Sequence, residues 1–423
     1  VKAKTLAEVI RFFDPTHPLQ GQELKDWYVD RPGNPLKKME TYLGLALNDM
    51  PVKILFTGHV GSGKSTGLNK LAEAIKNRFF IVSFNAARES SLADLTYVDL
   101  VLGMAMSLFG RATEPDVLGK AIGQITADYW ETLSSFIEQS VFGSAHFRPA
   151  PPASEASVKV SALAAEFQLK FASEASTRDN IRAWVEPRLG ELHSKIDEVA
   201  NLVQVKLGRP VLFFVEGTDK TDLTRAREIF LNHTYSLTAF RAAVIYTVPI
   251  SLRYANNFTQ LWDSFNECYV LPNLNIASRD GTPNIEGLQR LEQALLARLD
   301  SRLLEPEAGQ LMIRASGGLM RTLIRLTQRA AVNALASGAQ IITLAHAQAA
   351  IDTERADYVA GLKEADYPIL IARHADKRLL ADEPVLRLLE TRALLEYTNG
   401  DPWCDVHPIA LPLILKQMAS PQG

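Results

Sequence analysis

Eight consecutive residues, Gly58-His59-Val60-Gly61-Ser62-Gly63-Lys64-Ser65, carry three glycines, a lysine and a hydroxyl at the spacing GxxxxGK[ST]. The chemistry that this spacing serves is phosphate binding. Gly61 and Gly63 let the backbone curl until successive N–H groups face a phosphate at the positive end of the following helix. Lys64 adds a point charge for the β- and γ-phosphates, and the Ser65 hydroxyl is a Mg²⁺ ligand. With Gly58, Ser62 and Thr66 these residues form the expected binding set for ATP and Mg²⁺. His59 is given no role beyond spacing.

A phosphate loop also needs an acid at the end of a neighbouring strand, to hold Mg²⁺ and orient the attacking water. The run Val211-Leu212-Phe213-Phe214-Val215, followed by Glu216-Gly217-Thr218-Asp219-Lys220, supplies it. Only one acid of the usual adjacent pair is present. If Glu216 serves the metal, no base stands beside it and Asp219 must substitute. If Glu216 is the base, Val215 occupies the metal position. The first register is favoured; it predicts slow hydrolysis and a gain in turnover when Gly217 becomes Asp or Glu.

These groups require a strand before the loop and a helix after it. The apolar run Val52–Thr57 is the strand, residues 64–78 carry the helix, and Phe79–Asn85 is a second strand. Residues 95–142 show helical spacing, and the Pro-rich piece 148–152 reads as a flexible connection. A long helix from Glu186 to Lys206 precedes the strand 211–215, and Ala243–Val248 is a further strand. The span 285–352 is helical, and 361–423 reads as a small module with helical patterns near 384–394 and a turn at 399–402. Upstream, residues 1–50 form an arm around one helical pattern, Leu36–Leu47. The expected fold is α/β, a P-loop NTPase with a parallel sheet and helices on both faces, then a helical appendix. The divisions are 1–50 arm, 51–275 core with a helical insertion at about 110–208, 276–360 and 361–423.

In these residues the chain resembles an AAA+ ATPase of the branch near the origin-recognition initiators and the STAND signalling ATPases. LFTGHVGSGKST is similar to the first strand and loop of a bacterial group of such proteins, and VLFFVEGTDK stands where a strand ending Asp-Asp-Leu-Asp-Lys belongs. The resemblance implies that Val244–Pro249 is the sensor-1 strand, with Thr247 facing the γ-phosphate. It makes 315–321 the sensor-2 turn of a helical lid, with Arg321 on the phosphates. The segment 394–408 looks like the last helix and wing of a winged-helix domain. Tyr28, in Trp27–Arg31, stands where such proteins contact adenine, and Arg241 or Arg253 would be an arginine finger for a neighbouring subunit. Arg321, Arg325 and Arg329 are spaced by four and share one helix face, independently of the resemblance.

The 423 residues carry 45 Lys+Arg against 48 Asp+Glu, so any contact with DNA must be local. From 361 to 423 there are seven basic and nine acidic side chains, with no stripe suited to phosphate neutralisation. Two cysteines, Cys268 and Cys404, predict a reduced, cytoplasmic chain without a disulfide scaffold or zinc module. No apolar run has the length of a membrane helix. The leading expectation is an ATP-dependent switch that self-associates or docks a protein partner. The alternatives are a DNA-acting AAA+ regulator and a scaffold with a structural nucleotide.

Overall fold

The computed structural model describes residues 1–45, 51–119, 134–138, 160–167, 175–398 and 400–419. The Pro-rich connection at 148–152, Asn399 of the expected turn and the far end of the arm's helical pattern lie outside them. The core is a five-stranded parallel sheet of β1 (Lys53–Thr57), β2 (Phe80–Asn85), β3 (Val211–Glu216), β4 (Ala243–Val248) and β5 (Glu267–Val270), in the order β2-β3-β4-β1-β5. Side chains alternate across it. Ile54, Phe56, Leu212, Phe214 and Ile245 meet Leu36, Met39, Leu68 and Leu71 from the helices Pro35–Leu45 and Lys64–Ile75 on one face. Leu55, Phe213, Val215, Val244 and Tyr246 meet the helices Tyr97–Ala112 and Leu189–Leu207 on the other. Burial on both faces is why β1, β3 and β4 read as unbroken apolar runs.

Strand β5 was not expected. Its sequence, ECYV, is only half-buried, and its pairing with β1 fixes it. The arm also differs from expectation, holding three helices, Leu6–Phe12, Gln22–Trp27 and Pro35–Leu45. The first is too short to declare itself by period. It buries Leu6, Val9 and Phe13 among the helices Ile285–Arg298, Pro306–Ala315, Met320–Ala336 and Leu344–Ala360, and Ala3 forms a parallel bridge with Leu299. The start of the chain thus belongs physically to the helical appendix.

The last part of the chain consists of helices Asp366–Asp376 and Glu383–Glu390, an antiparallel hairpin of β6 (Leu394–Thr398) and β7 (Pro402–Val406), and helix Leu411–Ala419. Residues 394–398, expected to begin as helix, are strand throughout, because Leu394, Leu395, Glu396 and Tyr397 are all buried on β7 and the body of the protein. No helix among the described residues is long and apolar enough to cross a membrane.

Candidate functional site

Strand β1 ends at Thr57 and the loop follows. Gly58, Gly61 and Gly63 all have positive φ, at 146°, 98° and 105°. At Gly61 a Cβ would stand 2.9 Å from Cβ of Arg321, so the loop and the helix Met320–Ala336 approach at a distance only glycine permits. Gly63 is the N-cap of helix Lys64–Ile75 and offers no side chain to its first N–H groups, which leaves them for an anion.

Lys64 lies inside this turn, 5 % exposed. Its ammonium donates to the carbonyls of Gly58 at 2.7 Å and His59 at 3.0 Å and is ion-paired with Asp219 at 2.7 Å. Burial still lowers its pKa against the pull of Asp219. Glu216, at the end of β3, is hydrogen-bonded by the Ser65 side chain, and its pKa is raised by burial. Its Oε2 is buried without a partner among the described residues, as is Ser62 Oγ. An orphaned carboxylate oxygen beside a serine hydroxyl fits a hard divalent cation at this corner. Val215, the metal position in the other register, is wholly buried in the sheet.

Gly217 has φ 87°, and a Cβ there would lie 2.6 Å from the backbone nitrogen of Ala87. Space and conformation both exclude a side chain. This corrects the expectation that Asp or Glu at 217 would raise turnover, because either residue must first displace the chain after β2.

Arg321 occupies the second position of helix Met320–Ala336, whose N-cap Leu319 provides no side-chain bond. The Arg321 N–H donates instead to the carbonyl of Gly61 at 3.0 Å, so the phosphate loop caps this helix. The Arg321 guanidinium forms no ion pair among the described residues, and burial, Arg392 and Arg325 lower its pKa. Gly61, Gly63, Lys64, Ser65, Gly217, Asp219 and Arg321 line a cleft with five arm residues, 14–18, and with Thr66, Asn85, Arg88, Lys220 and Arg298, while Glu216 lies behind its wall. The Thr66 hydroxyl is held by the Leu19 N–H at 3.1 Å.

Four expected residues are placed elsewhere. Tyr28 packs beside the loop helix, with the Lys70 ammonium 3.8 Å from its ring centre, while segment 14–18 of the arm faces the cleft. Thr247 is buried between strands, its hydroxyl donating to Val215 O at 3.3 Å and standing 3.4 Å from Thr218 Oγ1. Arg253 covers the ring of Phe258 at 4.8 Å, whereas Arg241 is exposed and its N–H donates to Asp197. Neither arginine lines the cleft.

Two residues carried no sequence signal. Arg31, 7 % exposed, donates through Nη2 to the carbonyl of Ser62, and its Nη1 is buried without a partner among the described residues. His59, 1 % exposed, turns away from the cleft and accepts the Glu396 N–H of β6 on Nε2 at 2.7 Å. Both contacts span more than thirty residues of sequence, beyond any local pattern.

Beyond Arg321, the basic face of helix Met320–Ala336 is paired with acids. Arg325 and Arg329 both pair with the buried Glu354, at 3.0 and 2.8 Å, and Arg329 also pairs with Asp357. Lys377 is paired with Asp405.

No family model matches the chain, and no curated protein matches it. Among solved structures it is similar to the ORC2 protein of Aeropyrum pernix in its ADPNP-ADP complexes, at 13 % identity over 97 % of this chain and 98 % of that one, with a TM-score of 0.45. It is similar to a Walker-type ATPase of Pyrococcus abyssi at 13 % identity, over 96 % and 99 % of the two chains, with a TM-score of 0.47. For Drosophila ORC bound to DNA the values are 11 %, 98 %, 92 % and 0.44. Likenesses this distant carry no weight for activity; the residues of the cleft do.

Proposed function

We propose that this chain is an ATP-binding switch of the AAA+ and STAND kind, whose nucleotide state governs self-association or the docking of a protein partner. The observation that carries the reading is the prepared phosphate site: Lys64 buried and paired with Asp219, Ser65 bonded to Glu216, and the backbone of Arg321 seated on Gly61. Lys64 and Arg321 would meet the phosphates, and residues 14–18 with Ile324 would enclose the base. Ser65 and Glu216 would hold Mg²⁺, which when bound neutralises phosphate charge. Because Arg321 belongs to the appendix while the carbonyl that caps its helix belongs to the phosphate loop, a ligand that prefers one placement of that helix shifts the equilibrium between placements. Slow hydrolysis is supported by Gly217, which leaves Glu216 without an adjacent acid, and by Thr247, whose hydroxyl is engaged within the sheet.

The DNA-acting alternative needs a free basic face. Of Arg325, Arg329, Lys377 and Arg378, the set expected to supply one, the first three are paired with Glu354, Asp357 and Asp405, which leaves only the exposed Arg378. The switch reading is therefore the stronger.

The test is binding of a fluorescent ATP analogue and steady-state ATP turnover, with and without duplex DNA, with Lys64→Ala as the blank. Mass photometry in ADP and in ATP reads the oligomer. Saturable, Lys64-dependent binding with turnover near the blank supports the switch. Turnover stimulated by DNA would favour the regulator, and a folded wild-type protein that fails to bind millimolar ATP refutes the nucleotide reading.

A further inference from the structure

The phosphate loop touches the C-terminal hairpin through a residue that phosphate binding does not require. His59 is buried, and its Nε2 accepts the backbone N–H of Glu396 in β6 at 2.7 Å. An acceptor nitrogen is an unprotonated nitrogen, and burial together with Lys64 pushes the His59 pKa down to about 3, so the acceptor persists at neutral pH.

The rest of Glu396 is tied to the body of the protein just as closely. Its carbonyl accepts from Asn273 Nδ2 at 3.1 Å, and its carboxylate accepts from the Tyr254 hydroxyl at 2.9 Å. Next to it, the Tyr397 hydroxyl donates to Gly317 O at 2.9 Å, in the turn that leads to Arg321. Strand β6 is thus wedged against the phosphate loop, the exit of β5 and the base of the Arg321 helix.

The other end of His59 leads to the phosphate site. Its carbonyl is one of the two that Lys64 holds, and Lys64 must turn toward a phosphate when one binds. Lys64 therefore cannot serve the phosphate and keep all its present partners. Of those partners, the His59 carbonyl is the one whose release would loosen the loop at the residue that anchors β6.

We infer that His59 is a positioning residue that couples the phosphate loop to the C-terminal hairpin, so that phosphate binding and hairpin docking oppose one another. The inference rests on the nucleotide reading above and specifies how that site is regulated. Coupling of this kind is reciprocal: what nucleotide does to the hairpin, loss of the hairpin bond does to nucleotide affinity.

Hydrogen exchange of the full chain, read over 394–398 with no ligand, with ADP and with ATP·Mg²⁺, tests this directly. In wild type, nucleotide should speed exchange of the Glu396 amide. In His59→Phe, which keeps a ring but removes the acceptor, exchange should be about tenfold faster without ligand and indifferent to nucleotide, with tighter nucleotide binding. His59→Gln, which restores an acceptor oxygen, should recover the wild-type response; a purely structural role would show no such split between the two variants. If His59→Phe fails to fold, wild type and His59→Gln still decide the matter. Nucleotide that binds wild type but leaves 394–398 unchanged overturns the coupling alone. Failure of wild type to bind any nucleotide overturns the site reading and the coupling with it, while the ligand-free comparison still scores the His59 bond.

Discussion

The Lys64–Asp219 pair should respond to Asp219→Asn in two opposite ways. Both side chains are nearly buried, at 4 % and 10 % exposure, and their charged atoms are 2.7 Å apart. Breaking a buried pair from one side leaves an uncompensated charge, which costs about 3 to 5 kcal/mol. Lys64 keeps its two carbonyl partners, which places the cost toward the lower end. At about 2.1 cal/mol/K per residue of unfolding entropy, a chain of 423 residues unfolding as one unit would lose about 3 to 6 °C in Tm. A phosphate, however, replaces the lost anion. The upward shift in Tm on adding ATP·Mg²⁺ should therefore be larger in Asp219→Asn than in wild type, since ligand that binds only the folded state stabilises in proportion to its affinity. Scanning calorimetry with and without nucleotide measures both effects, and Lys64→Met/Asp219→Asn should recover most of the ligand-free loss while binding nothing. A variant with wild-type Tm and a smaller nucleotide shift would refute the reasoning, for it would mean that Asp219 assists phosphate rather than competing with it.

Glu216→Gln removes a buried carboxylate whose pKa is raised by burial. It should raise ligand-free stability at pH 7 and abolish the Mg²⁺-dependent part of nucleotide affinity, read by titration with and without the ion. Gly217→Asp should lower Tm and leave turnover no higher than wild type, because the new Cβ meets Ala87; a faster enzyme would show that the chain after β2 yields. His59 and His407 are both held near pKa 3 by burial, so stability is complete above about pH 6.5, where the unfolded histidines are neutral. It should fall as pH drops toward 3, by about 2 kcal/mol per histidine at pH 5, and urea unfolding of His59→Gln should show half of that histidine loss.

Local chemistry made the phosphate loop legible, because all of its requirements lie within eight residues. The apolar runs of β1, β3 and β4 were equally plain, being buried on both faces. Strand β5 was not, since a half-buried edge of four residues has no period of its own and exists through its register with Ile54 to Thr57. The arm misled for a related reason. Tyr28 has the composition of a base-stacking residue, yet Lys70 of the loop helix claims its ring, while Pro15, Thr16 and Pro18 reach the cleft. The spacing of Arg321, Arg325 and Arg329 correctly placed them on one helix. Only tertiary structure divides them, sending Arg321 to the loop and the other two to Glu354.

The position of β1 in the sheet bears on how the chain is made. Ile54 is paired with Ile245 on one side and with Glu267 on the other, so this wholly buried strand emerges about 190 residues before its first neighbour and longer still before its second. At about 5 to 20 residues per second, the strand that carries the phosphate loop waits on the order of 10 to 40 s after synthesis for the partners that bury it. During that interval Ile54, Leu55 and Phe56 have only the early helices to shield them. Slow translation through 200–270 should therefore lengthen the time in which a nascent chain is open to chaperone capture or aggregation.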